Sequence, residues 1–122
     1  MTSVYNIIQE LNLENGSNYK MAVLRKHADN ELLQRVLKMT YDKVAWTFGI
    51  SMKNITIPES TENQGLEWAA ASIVDLAIRK YTGHAAIEYL EAVFRCISPE
   101  DQEVLKGIIN RDLRINMGRS NI

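Results

Sequence analysis

The chain has 122 residues, 46% of them hydrophobic and 24% charged. That suits one ordered domain with a single modest core and excludes a disordered tail. Its 14 Lys and Arg against 15 Asp and Glu leave a net charge of −1, which does not advertise nucleic-acid binding, so any such role needs a local basic patch.

Cys96 is the one cysteine. It forms no intrachain disulfide and no zinc cluster, which points to a reducing compartment, and its neighbours in "AVFRCIS" predict a buried, inert thiol. No apolar run approaches the ~20 residues of a membrane span. The start, "MTSVYNIIQEL", lacks the basic opening of a signal peptide. No membrane partner is expected.

In chain order, "SVYNIIQELNL" places Val4, Ile7, Ile8 and Leu11 at helical spacing behind a capping Ser3. Asn15 to Ser17 break it, and Ser17 is expected to cap a second helix whose Met21, Leu24 and Ala28 share a face. Asp29 restarts the chain. Leu32, Leu33, Val36, Leu37, Thr40 and Tyr41 then form an apolar stripe opposite Gln34, Arg35 and Lys38. From Gly49 to Gln64 the periodicity dissolves into a long loop with a short extended piece at Ile55 to Ile57, and loops of this length are often functional or mobile. "LEWAAASIVDLAIRKY" is rich in strong helix formers. "TG" ends it, and Thr82 is placed to cap the next helix, "HAAIEYLEAVFRCI". The last start signal is the clearest: Ser98 at the cap, Pro99 at the first helical position, Glu100 and Asp101 in the first turn. The expected fold is all-α: a single compact domain of about six helices with one long loop.

On the last helix, a step of about 100° per residue puts Val104, Leu105, Ile108, Ile109 and Leu113 on one side and Lys106, Asn110, Arg111 and Arg114 on the other. Placement of cations at a helix C-terminus is favourable in itself. A phosphate-contacting patch is the functional alternative, because Lys106, Arg111, Arg114 and Arg119 face one anion, Asp112, from Lys106 to Ile122. Asp112 projects into the apolar side, so it is expected to be buried and hydrogen-bonded.

Catalytic signatures are missing: no glycine-rich phosphate loop, no His-Glu-x-x-His, no nucleophile-elbow serine. His27 and His84 fit surface or capping roles. Trp46, Trp68, Phe94 and the tyrosines sit mostly at core positions, with Trp46 and Phe48, beside the long loop, left open for function.

Two stretches carry a resemblance. "AIRKYTGHAAIEYL" (Ala77 to Leu90) and "EVLKGIINRDLRINMGRSNI" (Glu103 to Ile122) resemble the N-terminal helical DNA-binding domain of ATP-dependent DNA ligases. The second is similar to that family's Arg-Asp-Leu-Arg signature, and "RKYTGHAAIE" to its phage branch. "DNELLQRVLKMTY" and the first helix agree in order and spacing, so the resemblance covers essentially the whole chain. It implies a domain that grips duplex DNA beside a nick across the minor groove and performs none of the chemistry. The chemistry belongs to nucleotidyltransferase and OB-fold domains that use ATP and Mg²⁺. The family's catalytic lysine lies in Lys-x-Asp-Gly, a tetrapeptide absent here. The resemblance therefore implies a cofactor-free, inactive N-terminal piece of a longer chain, phage-encoded and working in the cytoplasm of an infected bacterial host.

Carried over by residue, Arg114 matches the arginine of the family's Leu-Arg-x-Gly stretch, Asn116 replaces its glycine, and Gly118 falls on a second small residue. Arg111 and Arg119 complete that candidate DNA-binding patch. Arg79, Lys80, Thr82, Gly83 and His84 form a second one, where free amides at a helix start would meet a phosphate. The competing class is a protein-interaction module docking on a sliding clamp through the Gly49 to Gln64 loop. A sequence-reading helix-turn-helix is a weaker third, since no exposed helix offers a row of Arg, Asn and Gln.

Overall fold

A computed structural model describes residues 3–14, 16–42 and 46–113. It contains six helices: α1 (Val4–Leu11), α2 (Ser17–Lys26), α3 (Glu31–Tyr41), α4 (Leu66–Ala77), α5 (Gly83–Cys96) and α6 (Pro99–Asn110). A short 3-10 turn (Met52–Asn54) is the remaining element, and no strand occurs among the described residues. The all-α expectation holds.

The starts of the helices follow local chemistry. Ser3 accepts from the Asn6 amide at 3.1 Å, Asn30 from Leu33 at 3.0 Å and Ser98 from Asp101 at 3.1 Å, each satisfying a helix-start donor that has no partner within the helix. Asn30, one residue after Asp29, is thus the cap of α3. At α2 the cap position falls on Gly16 rather than Ser17. The face expected for α2 is also rotated: Met21 and Leu24 are half-buried and Ala28 is exposed, while Lys20 and Val23 are the buried residues. α1 decides this, because α2 packs on it.

Val4, Ile7, Ile8 and Leu11 of α1 are buried, as are Leu33, Val36, Met39 and Thr40 of α3. α6 packs against α1, α3 and α4, so it runs through the centre of the domain. Its Val104, Leu105, Ile108 and Ile109 join Phe94, Leu90, Ile73 and Leu76 in one continuous core. Trp68 departs from its expected core position and remains 36% exposed. Cys96 is half-buried, not buried.

Two helices end earlier than their periodicity suggests. α4 stops at Ala77, where Arg79 takes φ 62° and the Lys80 amide reaches back to the Asp75 carbonyl at 2.9 Å. α6 stops at Asn110, where Arg111 takes φ 60° and the Asp112 amide reaches the Gly107 carbonyl at 2.9 Å. Both are left-handed caps of the kind glycine usually supplies. Beyond Arg111 the chain folds back over α6. Leu113 enters the core, its amide donating to the Tyr41 hydroxyl at 3.1 Å, and a Cβ on Gly107 would lie 2.8 Å from the Leu113 side chain. Asp112 is therefore exposed, contrary to expectation: the helical angle that aimed it inward no longer applies once the backbone has turned left-handed.

The long loop is not a free strap. It follows α5 from first turn to last. Asn54 lies near Gly83 and Ile87, and the Thr56 amide donates to the Glu91 carboxylate at 2.8 Å. The Thr61 and Gln64 amides donate to the Arg95 and Cys96 carbonyls, each at 2.7 Å. Ser60 donates to the Ile97 carbonyl. Buried Gln102 donates to Pro58 at 3.2 Å and to Phe94 at 2.8 Å, tying loop, α5 and α6 together. The backbone at Ile55 is extended, as expected, but Ile55 to Ile57 join no strand ladder, and the Thr56 amide is spent on Glu91.

These contacts set which helix ends lie together. Gln64 on Cys96 brings the start of α4 to the end of α5, beside the start of α6. The ends of α3, α4 and α6 and the start of α5 meet around residues 47–54 instead: Arg111 reaches Thr40 and Phe48, Arg79 reaches Thr47, and Gly83 lies near Asn54. The first group carries exposed Glu59, Glu62, Glu67, Glu100 and Glu103, with Arg95; the second carries Lys38, Lys53, Arg79, Lys80 and Arg111, with Asp42, Asp75 and Asp112.

Candidate nucleic-acid interface

The two left-handed arginines come from stretches far apart in sequence, yet both reach one short segment, Thr47 to Gly49. Arg79 donates through Nη2 to the Thr47 hydroxyl at 3.3 Å and through Nη1 to the Leu76 carbonyl at 3.4 Å. Arg111 donates through Nη1 to the Thr40 carbonyl at 3.3 Å, and its guanidinium lies 6.0 Å from the centre of the Phe48 ring. Phe48 is buried and stacks on Trp46 with centroids 6.4 Å apart. Of the aromatics left open for function, Phe48 is therefore core, and Trp46 is half-buried beside it.

Arg79, Lys80, Thr82, Gly83 and His84 are all exposed. Arg79 and Lys80 do not extend α4 as the helical pattern suggested. They sit in the turn after it, with the Lys80 ammonium 5.7 Å from the Tyr81 ring centre. Tyr81 stacks on Tyr89 at 4.5 Å, and the Tyr89 hydroxyl donates to Ser72 and Asp75 at 3.0 Å each. Burial first, then the hydrogen bond to the Asp75 carboxylate, pushes that phenol above its ordinary range. The pair fixes the turn against α4 and α5. Thr82 holds the cap position of α5, but its side chain makes no capping hydrogen bond. Gly83 takes φ 59°, a conformation that glycine accepts without strain.

Arg111 is half-buried and engaged rather than fully on the wet side. Arg114, Asn116, Gly118 and Arg119 lie outside the described residues. So the structure brings Arg111 and the Arg79 to His84 group to one end of the domain. Sequence reasoning missed Thr47 and Gly49, which join them. The one available signal was a glycine after two aromatics in a chain otherwise low in glycine.

Elsewhere, Glu10 binds Lys26 at 2.8 Å and His27 at 2.9 Å. The Lys26 ammonium, then His27, lowers the Glu10 carboxyl below its ordinary range. His27 thus has a clasping role at the end of α2. Fully buried Lys20 donates to the Leu11 carbonyl at 2.6 Å, closing the C-terminus of α1. No group of three or more His, Cys, Asp or Glu among the described residues could hold a metal ion. No helix among them is long and apolar enough to cross a membrane.

An all-α domain of six helices is the fold class that the sequence resemblance implied. The fold itself is shared with a solved structure named Pmar-Lig_PreS3, at a TM-score of 0.76 and 19% identity over 99% of this chain and 28% of that one. No family model matches the chain. In sequence the chain is similar to the DNA ligases of Enterobacteria phages T4 and T6, 32% identical over 117 residues in each case. The match takes in 90% of this chain and 23% of each ligase, so the chain spans about a quarter of the length of the curated relatives it matches. The resemblance to phage DNA ligases holds over nearly the whole chain.

Proposed function

We propose that this chain is the non-catalytic DNA-binding domain of an ATP-dependent DNA ligase, corresponding to an N-terminal part of a longer enzyme. It grips duplex DNA beside a nick through backbone and minor-groove contacts, so that catalytic domains using ATP and Mg²⁺ can seal the break. The observation that carries this is a ligase-like sequence running through 90% of a chain that lacks Lys-x-Asp-Gly. The charge distribution agrees with it. A net charge of −1 conceals an end rich in Lys and Arg, and phosphate contacts from that end give affinity with little sequence preference.

Arg79, Lys80, Thr82, Gly83 and His84 form the first set of proposed contacts, and Arg111, Arg114, Asn116, Gly118 and Arg119 the second. The clamp-docking alternative drew on the long Gly49 to Gln64 loop. Four of that loop's backbone groups, at Thr56, Pro58, Thr61 and Gln64, are bound to α5 or α6, so it lies along the domain rather than projecting from it.

A salt titration against nicked duplexes of unrelated sequence tests the proposal. Affinity is expected to fall steeply and alike for all sequences as salt rises. No binding at low salt overturns it. Incubation with labelled ATP and Mg²⁺ is expected to leave the chain unlabelled; a stable lysine–AMP adduct would contradict the non-catalytic role.

A further inference from the structure

The geometry points to Thr47 and Gly49 as a seat that presets the Arg79 guanidinium for a backbone phosphate, which makes both of them positioning residues for DNA binding. This rests on the DNA-binding reading above and deepens it.

The seat is built from two contacts. At Gly49 a Cβ would lie 2.9 Å from Arg79 Cζ and closer still to Nη1, so the guanidinium occupies the volume that any other side chain would fill. Gly49 also takes φ 71°, which glycine alone adopts without strain. The Thr47 hydroxyl accepts from Nη2 at 3.3 Å.

The guanidinium has five N–H donors, and the bonds to Leu76 and Thr47 use one on each terminal nitrogen, so three remain. Arg79 is exposed, so its guanidinium is within reach of solvent and of a ligand. A flat fork held at both terminal nitrogens, with donors to spare, suits a phosphate oxygen pair. A flexible arginine loses rotamer freedom on binding, and one already held loses less. The left-handed backbone at Arg79 fits the same purpose. A non-glycine residue at φ 62° is strained, and the strain aims this side chain back across the α4 terminus at Thr47.

The test compares wild type, Arg79→Ala, Thr47→Val, Gly49→Ala and the double variant Gly49→Ala/Arg79→Ala. Each is titrated with fluorescent nicked duplex over a range of salt. Arg79→Ala is expected to weaken binding about tenfold and to flatten the plot of log affinity against log salt by roughly 0.9. Gly49→Ala displaces the guanidinium and is expected to reproduce most of both effects. The double variant is expected to bind no more weakly than Arg79→Ala alone, because the two changes remove one contact. Thr47→Val keeps the backbone and is expected to weaken binding about threefold and to flatten the salt plot in part, because the released guanidinium then meets the phosphate in only a fraction of complexes. It carries the test if Gly49→Ala fails to fold, since a merely structural role leaves the salt slope unmoved. If Arg79→Ala weakens binding while Thr47→Val and a folded Gly49→Ala match wild type, the seat is wrong and the DNA-binding reading stands. If Arg79→Ala itself changes nothing, Arg79 is no phosphate ligand and the seat is overturned. If wild type binds no duplex at low salt, the functional reading falls and takes the seat with it.

Discussion

The Arg111 guanidinium donates to the carbonyl of Thr40, 3.3 Å away, and so fastens the end of α6 to the end of α3. Thr40 lies in the last turn of its helix, where carbonyls lack an intrahelical partner. An arginine that reads from sequence as a free surface cation is thus a cap for a neighbouring helix.

Arg111→Ala is accordingly expected to cost about 1–2 kcal/mol, from the lost charge-assisted hydrogen bond and the lost contact with Phe48. A substitution on an open polar face would stay within about 0.5 kcal/mol. Arg111→Gly loses the same contacts but tolerates φ 60°, so it is expected to be about 1 kcal/mol more stable than Arg111→Ala. Urea denaturation of the two variants checks both statements; equal midpoints would show that the left-handed backbone is unstrained.

Lys20 offers a sharper test of packing. Its stem is fully buried and its ammonium reaches the Leu11 carbonyl. Lys20→Met fills the same volume but leaves that carbonyl without its donor, at an expected cost of about 1–3 kcal/mol. An unchanged denaturation midpoint would mean that water replaces the ammonium.

Gln102 anchors the long loop. Gln102→Leu removes the donor to Pro58 and Phe94 while keeping the core filled. Amide hydrogen exchange at Thr61 and Gln64, whose partners are backbone carbonyls at the end of α5, is expected to accelerate ahead of exchange in α3. Uniform acceleration through the whole domain would show that the loop does not open separately.

Glu10 makes stability sensitive to acid. Its carboxyl is held below the ordinary 4.5, first by Lys26 and then by His27. A depressed carboxyl contributes stability above its ordinary pKa and loses it as the pH falls through the lower folded value. Glu10→Gln is therefore expected to lower Tm at neutral pH, with the gap to wild type closing as the pH is taken below 4.5. High salt should narrow the gap too, because the Lys26 partner is exposed. A gap that stays constant from neutral pH to well below 4.5 would contradict the assignment.

The helices were legible because their cores are periodic: Val4, Ile7, Ile8 and Leu11, or Leu33 and Val36, announce a buried face that local sequence determines. The starts at Ser3 and Ser98 were legible for a similar reason, since a capping oxygen acts within three residues. The helix ends at Arg79 and Arg111 were not. A left-handed cap usually shows as glycine, and an arginine there is set by where its guanidinium lands, on Thr47 or Thr40, more than 30 residues away in sequence. Lys20 was hidden likewise: a lysine on a weakly amphipathic helix reads as solvated until α1 is seen to close over it. Of the candidate site, Arg79 and Arg111 were both named from sequence, but their meeting at Thr47 to Gly49 depends on tertiary packing that no spacing rule encodes.

Among the described residues, exposed Glu59, Glu62, Glu67, Glu100 and Glu103 cluster at one set of helix ends, while Lys38, Lys53, Arg79, Lys80 and Arg111 outnumber Asp42, Asp75 and Asp112 at another, a local separation of charge that the net value hides. A body so divided experiences a torque in the field of any polyanion, and turns its basic end forward before contact. The gain lies in the fraction of encounters that arrive correctly oriented, so it appears in the association rate and diminishes as added salt shortens the reach of the field. Net charge, the quantity that first argued against such a partner, does not measure this property.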